Sequence, residues 1–321
     1  MNKTGREEKS VHKTVLLHET IGGLNLKNGA TVIDGTFGGG GHSALICEKY
    51  PKTKIIAIDQ DSGTAKNIPK NKPKSCSITF HAENFKNMDK VLQEEGVEKV
   101  DGIILDLGLS SDQLENSGRG FSFMKDEPLL MTMKIAKEKS MKENPSPEDI
   151  TAYEVVNTWE EKNLADIIYG YGEERFSRRI AKGIVEAREK KKIETTGELV
   201  KIIEASVPRA YLRGRTNPAT KTFQALRIAV NDELGALSEG LSKGFDALRG
   251  GGRMSVISFH SLEDRVVKRF FKQKESEGKA ILINKKPIIP SQEELIINKR
   301  ARSAKLRVIE KIPRRAGQEN I

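Results

Sequence analysis

Apolar positions in the first third of the chain fall into short β-rich runs separated by stretches of helical periodicity. The runs at 31–34 (TVID), 54–58 (KIIAI), 75–80 (SCSITF) and 102–106 (GIILD) are bounded by Gly, Pro, Asn or Asp, and 42–50 and 87–95 carry apolar residues at helical spacing. Such alternation predicts a parallel sheet covered by helices, a Rossmann-like half. After Ser111 the pattern changes. A loop-like GRGFSF segment and a charged stretch broken by Pro128, Pro145 and Pro147 lead into helical periodicity over 164–192 and 197–207, with Pro208 as the stop. No strand signal appears between 111 and 216, so residues of about 115–215 read as an all-helical subdomain inserted into an α/β domain formed by 1–114 and 216–321. The α/β pattern then resumes with one long helix over 218–248, a turn at Gly250-Gly-Gly252 and a strand over 253–259. The predicted fold is a doubly wound, mostly parallel sheet.

Composition narrows the class. With 321 residues, 36% hydrophobic and 31% charged, the chain is long enough for a core plus an insertion, and too apolar for disorder. Lys and Arg outnumber Asp and Glu by 55 to 45, and the resulting +10 suits a polyanionic partner. From 300 to 315 there are seven Lys or Arg against Glu310 alone, so the C-terminal tail is a candidate phosphate contact. Cys47 and Cys76 have no CxxC spacing and make neither a disulfide framework nor a cysteine-based zinc site, from which a reducing compartment is expected. The polar N-terminus shows no targeting pattern and no apolar run reaches membrane-span length, which leaves a cytoplasmic chain with no membrane partner. His12, His18 and His81 lack metal-ligand spacing and no metal is expected.

Candidate chemistry begins where the first strand runs into Gly35-Thr-Phe-Gly-Gly-Gly-Gly-His42 and a helix. Glycines there allow a sharp turn and close approach of a ligand to backbone. Asp59, at the end of the second strand, is placed to accept hydrogen bonds from ribose hydroxyls. Two ligands suit this geometry. Gly39, Gly41 and Ala44 fit the G-x-G-x-x-A pattern of dinucleotide enzymes, while Asp34, Gly38 and Gly40 fit the D-x-x-x-G-x-G spacing of S-adenosylmethionine enzymes. Asp106 ends the fourth strand at the ligand-binding edge of such a sheet.

The ordered set KTVLLHE (13–19), DGTFGGGGH (34–42), DLGLSS (106–111), RGFSF (119–123), YGEER (171–175), TFQALR (222–227) and ISFHSLEDR (257–265) resembles the bacterial 16S ribosomal RNA cytosine-N4 methyltransferase family (RsmH, formerly MraW) over most of the chain. The resemblance implies a class I methyltransferase fold, S-adenosylmethionine as cofactor, and 16S rRNA or the small ribosomal subunit as partner. It further implies that Gly40, Gly41, His42, Asp59, Phe85, Asp106 and Gln113 line the cofactor site, with Phe85 against adenine. The sequence departs from the family at Leu130-Met-Thr-Met-Lys134, where Asp-Met-Arg-Met-Asp is usual, and at Asn217, usually histidine. Either the target or the activity is open to change there.

Methyl transfer to an exocyclic amine is an in-line displacement governed by positioning. Asp106 is the best candidate for a catalytic group, with the 109–111 backbone beside it. Phe121 and Phe123 are candidates either to receive an unstacked base or to pin the insertion to the core. RNA candidates are Arg119, then Arg178, Arg179 and Lys182 on a helix face that a merely solvated role explains somewhat better, with Arg265, Arg300 and Arg302. Ser261 with Asp264 fits a helix cap, and His260 a pocket-lining role. Two other functions fit parts of the pattern: a non-catalytic RNA-binding or ribosome-assembly factor, and a dinucleotide-dependent oxidoreductase.

Overall fold

The computed structural model describes residues 13–109, 113–114, 117–133, 150–214 and 216–313. Helix α1 (Leu17–Leu24) precedes β1 (Thr31–Asp34), α2 (Gly41–Lys49), β2 (Lys54–Asp59), β3 (Ser77–Ala82), α3 (Met88–Glu94) and β4 (Val100–Asp106). Helices α4 (Ala152–Thr158), α5 (Glu161–Gly170), α6 (Ser177–Arg188), α7 (Thr196–Ser206) and the single turn α8 (Arg209–Leu212) follow, then α9 (Ala219–Asn231) and α10 (Glu233–Ala247). The chain closes with β5 (Leu248–Ser258), α11 (Ser261–Ser276), β6 (Ala280–Leu282), α12 (Gln292–Ile297) and β7 (Lys305–Lys311).

Neighbouring residues of the central strands are buried on opposite faces, which is why these strands read as unbroken apolar runs. Ile33, Ile56 and Ile103 pack with Leu237, Leu241, Phe245 and Phe271 of α10 and α11. Val32, Ile55 and Ile104 pack with Ile21 and Leu24 of α1 and Ile46 of α2. The sheet order is β3-β2-β1-β4-β5-β7-β6, parallel from β3 to β5 and antiparallel at β7 and β6. Strand order reverses between β1 and β4, and a crevice opens there at the carboxyl ends. Helices α4 to α7 share a separate core through Val155, Leu164, Ile168, Ile180, Leu199 and Ile203, which Phe223 and Leu226 of α9 also enter.

Four expectations are corrected. The helix expected over 218–248 is two helices, because Asp232 is left-handed (φ 46°) and the Asn231 side chain bonds back to the Arg227 carbonyl at 2.8 Å. Gly250–Gly252 is no turn but lies within β5, beside a register shift opposite Val100 and Gly102. A Cβ on Gly250 would come within 2.6 Å of Pro313, so close backbone approach explains the glycine. The basic tail is not loose: β7 lies between β5 and β6, with Arg307 buried against Asp264 at 2.7 Å. Finally, Cys47 and Cys76, both fully buried, are joined in a disulfide. Helix α2 carries Cys47 onto the sheet face beside the start of β3, a juxtaposition that no residue spacing announced. No helix among the described residues is long and apolar enough to cross a membrane.

Candidate active site

The turn after β1 is tied to both neighbouring strands. Gly35 N–H donates to the Ile104 carbonyl (2.9 Å), Phe37 N–H to that of Ile58 (3.0 Å), and Gly38 N–H to Asp59 Oδ2 (2.7 Å). Gly38 and Gly40 have φ of 50° and 71°, a region that suits glycine. Cβ atoms at Gly35 and Gly40 would stand 2.7 Å from Leu105 and 2.9 Å from the Asn67 carbonyl, and one at Gly41 would strike Thr14. The loop therefore wraps the pocket rim with bare backbone, and Gly40 caps α2, whose N-terminal amides face the crevice.

Three strand-end carboxylates stand at this edge. Asp59 accepts from the backbone amides of Gly38 and Asp61 (2.7 and 2.9 Å), yet burial prevails and raises its pKa. Asp34 is bound by Ser43 Oγ at 2.6 Å, and burial lifts it to about 6. Asp106 goes higher, to about 8, through burial first and then repulsion from Asp34 and Glu263. These surroundings favour its protonated form at neutral pH. Its Oδ2 lies 4.0 Å from His42 Nδ1, and its buried Oδ1 has no hydrogen-bond partner.

The pocket is lined by Gly41, His42, Asp59, Phe85, Asp106 and Gln113, so these candidates converge. Gly40 sits just behind, as the cap of α2. Phe85 leans on a notch in α10: a Cβ on Gly240 would meet its ring at 2.5 Å. Thr14, Gln60, Glu83, Met133, Asn231, Glu233 and Glu263 also line the pocket and were missed. Glu83 lies one residue beyond β3, whose last residue Ala82 pairs with Asp59, and so stands beside the end of β2. Ser110 and Ser111, like Lys134 and His12, lie outside the described residues.

The basic candidates separate. Arg178, Arg179 and Lys182 are exposed on α6, with Lys182 3.6 Å from Glu186. Arg300 is exposed at the pocket rim and Arg302 is exposed nearby. Arg265 is paired with Glu173 at 2.9 Å, and Arg119 is largely covered. Phe121 is buried and Phe123 packs edge-on against Phe223 at 5.3 Å between ring centres, the packing arrangement of the two considered. The cap of α11 is His260, in a capping box with Glu263, and not Ser261, whose Oγ donates to Glu173 at 2.6 Å; Asp264 faces Arg307. His260 lies behind Glu263, outside the pocket lining. His18 is exposed and His81 pairs with Glu95 at 3.0 Å.

Glu233, His260 and Glu263 bring potential ligand atoms within 4.8 Å of one another. Their negative charge is already met by Arg227, which forks onto Glu233 at 2.7 and 2.8 Å. At the altered segment, burial alternates. Met131 and Met133, which match the family pattern, are the buried positions, while the departures Leu130 and Thr132 are half-exposed.

A doubly wound sheet with a glycine-walled crevice at its switch point defines the class, an α/β protein built to hold a nucleoside-type ligand. Comparison with known proteins narrows this. The model of the MraW methylase family matches residues 9–312. The ribosomal RNA small subunit methyltransferase H of Clostridium botulinum (strain Kyoto / Type A2) is 46% identical over 317 residues, covering 94% of this chain and 99% of the relative. That of Brevibacillus brevis is 44% identical over 319 residues, covering 94% and 98%. A solved rRNA methylase from Streptococcus thermophilus aligns at TM-score 0.41 and 11% identity, over 92% of this chain and 93% of its own. The chain belongs to the MraW methylase family.

Proposed function

We propose that the protein transfers the methyl group of S-adenosylmethionine to the N4 amine of a cytosine in 16S ribosomal RNA of the small subunit. The observation that carries this reading is the partnerless buried Oδ1 of Asp106, set beside a cradle of bare glycine backbone at the sheet's switch point. The relatives named for small-subunit rRNA methylation support the substrate class. Gly38 to Gly41 and the N-terminus of α2 would hold the amino-acid end of the cofactor, Asp59 its ribose and Phe85 its adenine. When bound, the cofactor supplies an electrophilic methyl carbon.

The protein's own residues then have two tasks. Cytosine N4 is a poor nucleophile because its lone pair is delocalised into the ring. A carboxylate oxygen that accepts an N–H from the amine favours the pyramidal, reactive nitrogen, and Asp106 Oδ1 has that capacity unused. Asp106 sheds its proton more readily when a positive charge is held beside it, so the pocket ionises it as the site fills. No base is required before attack, since the methylated product cation is acidic and loses its proton afterwards.

Incubating the protein with methyl-labelled cofactor and 30S particles or 16S RNA should label one cytosine at N4. RNA binding without transfer would identify a non-catalytic assembly factor, and tight binding of NAD in place of the methyl donor would identify an oxidoreductase.

A further inference from the structure

Residues 128–133 form an irregular strap, bent at Met131, and its last described residue, Met133, is a pocket wall. The Met133 sulfur lies 3.7 Å from Gln60 Nε2, and Gln60 directly follows the strand-end carboxylate Asp59. The strap is held from two sides. From one, Asn231 uses its whole amide: Nδ2 donates to the Met131 carbonyl and Oδ1 accepts from Met133 N–H, both at 2.8 Å. From the other, Arg119 donates through Nη1 to the carbonyls of Thr132 and Met133, each at 3.1 Å, while its own carbonyl accepts from Met131 N–H at 2.7 Å. Met131 between them is left-handed at φ 53°, a conformation a non-glycine residue keeps only when its surroundings impose it.

The Arg119 clamp continues into the nucleoside end of the pocket. Its Nη2 lies 3.4 Å from Asp61 Oδ2, and Asp61 N–H donates to Asp59 Oδ1 at 2.9 Å. The Arg119 side chain is 13% exposed. All its described contacts point inward, towards the strap, Asp61 and the face of Phe121.

We propose that Met133 contacts the adenosyl ligand, and that Arg119 and Asn231 are positioning residues that hold it there, coupling the strap to ligand binding through Asp61 and Asp59. Arg119 is thereby assigned to the ligand side of the protein and not to RNA. This inference rests on the adenosyl-ligand reading of the pocket. Coupling of this kind is reciprocal: a ligand seated against Met133 tightens the strap, and a loosened strap weakens the ligand.

The test is calorimetric titration of the full-length protein with S-adenosylhomocysteine, alongside filter binding of 16S RNA. Arg119→Met and Asn231→Asp should weaken the adenosyl ligand by about tenfold or more, the scale of lost charged or buried hydrogen bonds, with RNA affinity within about twofold. Met133→Ala and Asp61→Asn, which leave Arg119 and Asn231 in place, should shift ligand affinity in the same direction and guard against misfolding of the first pair. Hydrogen exchange at the Met131 and Met133 amides should slow when ligand binds the wild type, but not in Asn231→Asp. Unchanged ligand affinity in folded variants of a ligand-binding wild type would overturn the proposal, as would loss of RNA affinity alone. A wild type that binds no adenosyl compound would overturn the functional reading and this inference with it.

Discussion

Asp106 shows how burial makes an ionised carboxylate unfavourable to the fold. Its pKa rises from an ordinary 3.8 to about 8 because folding removes water from it and places Asp34 and Glu263 nearby. Its folded value exceeds the unfolded one. Its contribution to stability is therefore fully present below about pH 4 and is lost as pH rises through about 8. Asp106→Asn, which imitates the neutral acid, should melt with the wild type at pH 4 and increasingly above it towards pH 9. Parallel melting curves across that range would show that the carboxyl is not held in this way. Cofactor affinity should also rise with pH towards 8 in the wild type but not in Asp106→Asn, measurable as proton release by calorimetry in two buffers. Asp59 is a different case, since its carboxylate binds the amides of Gly38 and Asp61 and so shapes the loop. Asp59→Ala should weaken S-adenosylmethionine by about 1–3 kcal/mol while leaving RNA affinity nearly unchanged, as titrations of each ligand would show.

At the scale of the element, end chemistry and strand pairing decide what a local pattern leaves open. Helix α11 is capped one residue before the expected position because the His260 ring accepts the Glu263 amide while the Glu263 carboxylate accepts those of Phe259 and His260. Ser261 is thereby released to join Arg265 in holding Glu173, which ties the helical region to the sheet region. Strand β7 is the larger case: the basic residues that suggest a phosphate-binding tail alternate with Leu306, Val308 and Ile309, and these are buried. Truncation after Asn298 should abolish the cooperative thermal transition, because it removes an interior strand and uncovers both β5 and β6. A truncated chain that still melts sharply would contradict the pairing.

Across the whole molecule, charge and cross-linking act at a distance from the pocket. If α6 faces RNA, replacing Arg178, Arg179 and Lys182 together by Ala should lower the log–log salt slope of 16S RNA binding by about two to three, at about 0.7–0.9 per phosphate contact. An unchanged slope would mark that face as merely solvated. The Cys47–Cys76 bridge closes a separation of 29 residues around β2. Reducing it should lower stability by about 3.5 kcal/mol, the scale for a loop of that size, in denaturant titrations with and without reductant.

The α/β pattern, the glycine loop and the strand-end carboxylates were legible along the chain because each is a local matter: period, turn chemistry and position at a strand's end. The family's motifs likewise pointed to a methylase before any coordinates did. What could not be read was every relation that links remote segments. Arg119 and Asn231 meet at one strap although they stand 112 positions apart in the sequence, Cys47 meets Cys76 on one face of the sheet, and a basic tail turns out to be a buried strand. Chain order records neighbours along the backbone. Burial, pairing and the pKa of Asp106 depend on neighbours in space, and only the packed sheet supplies those.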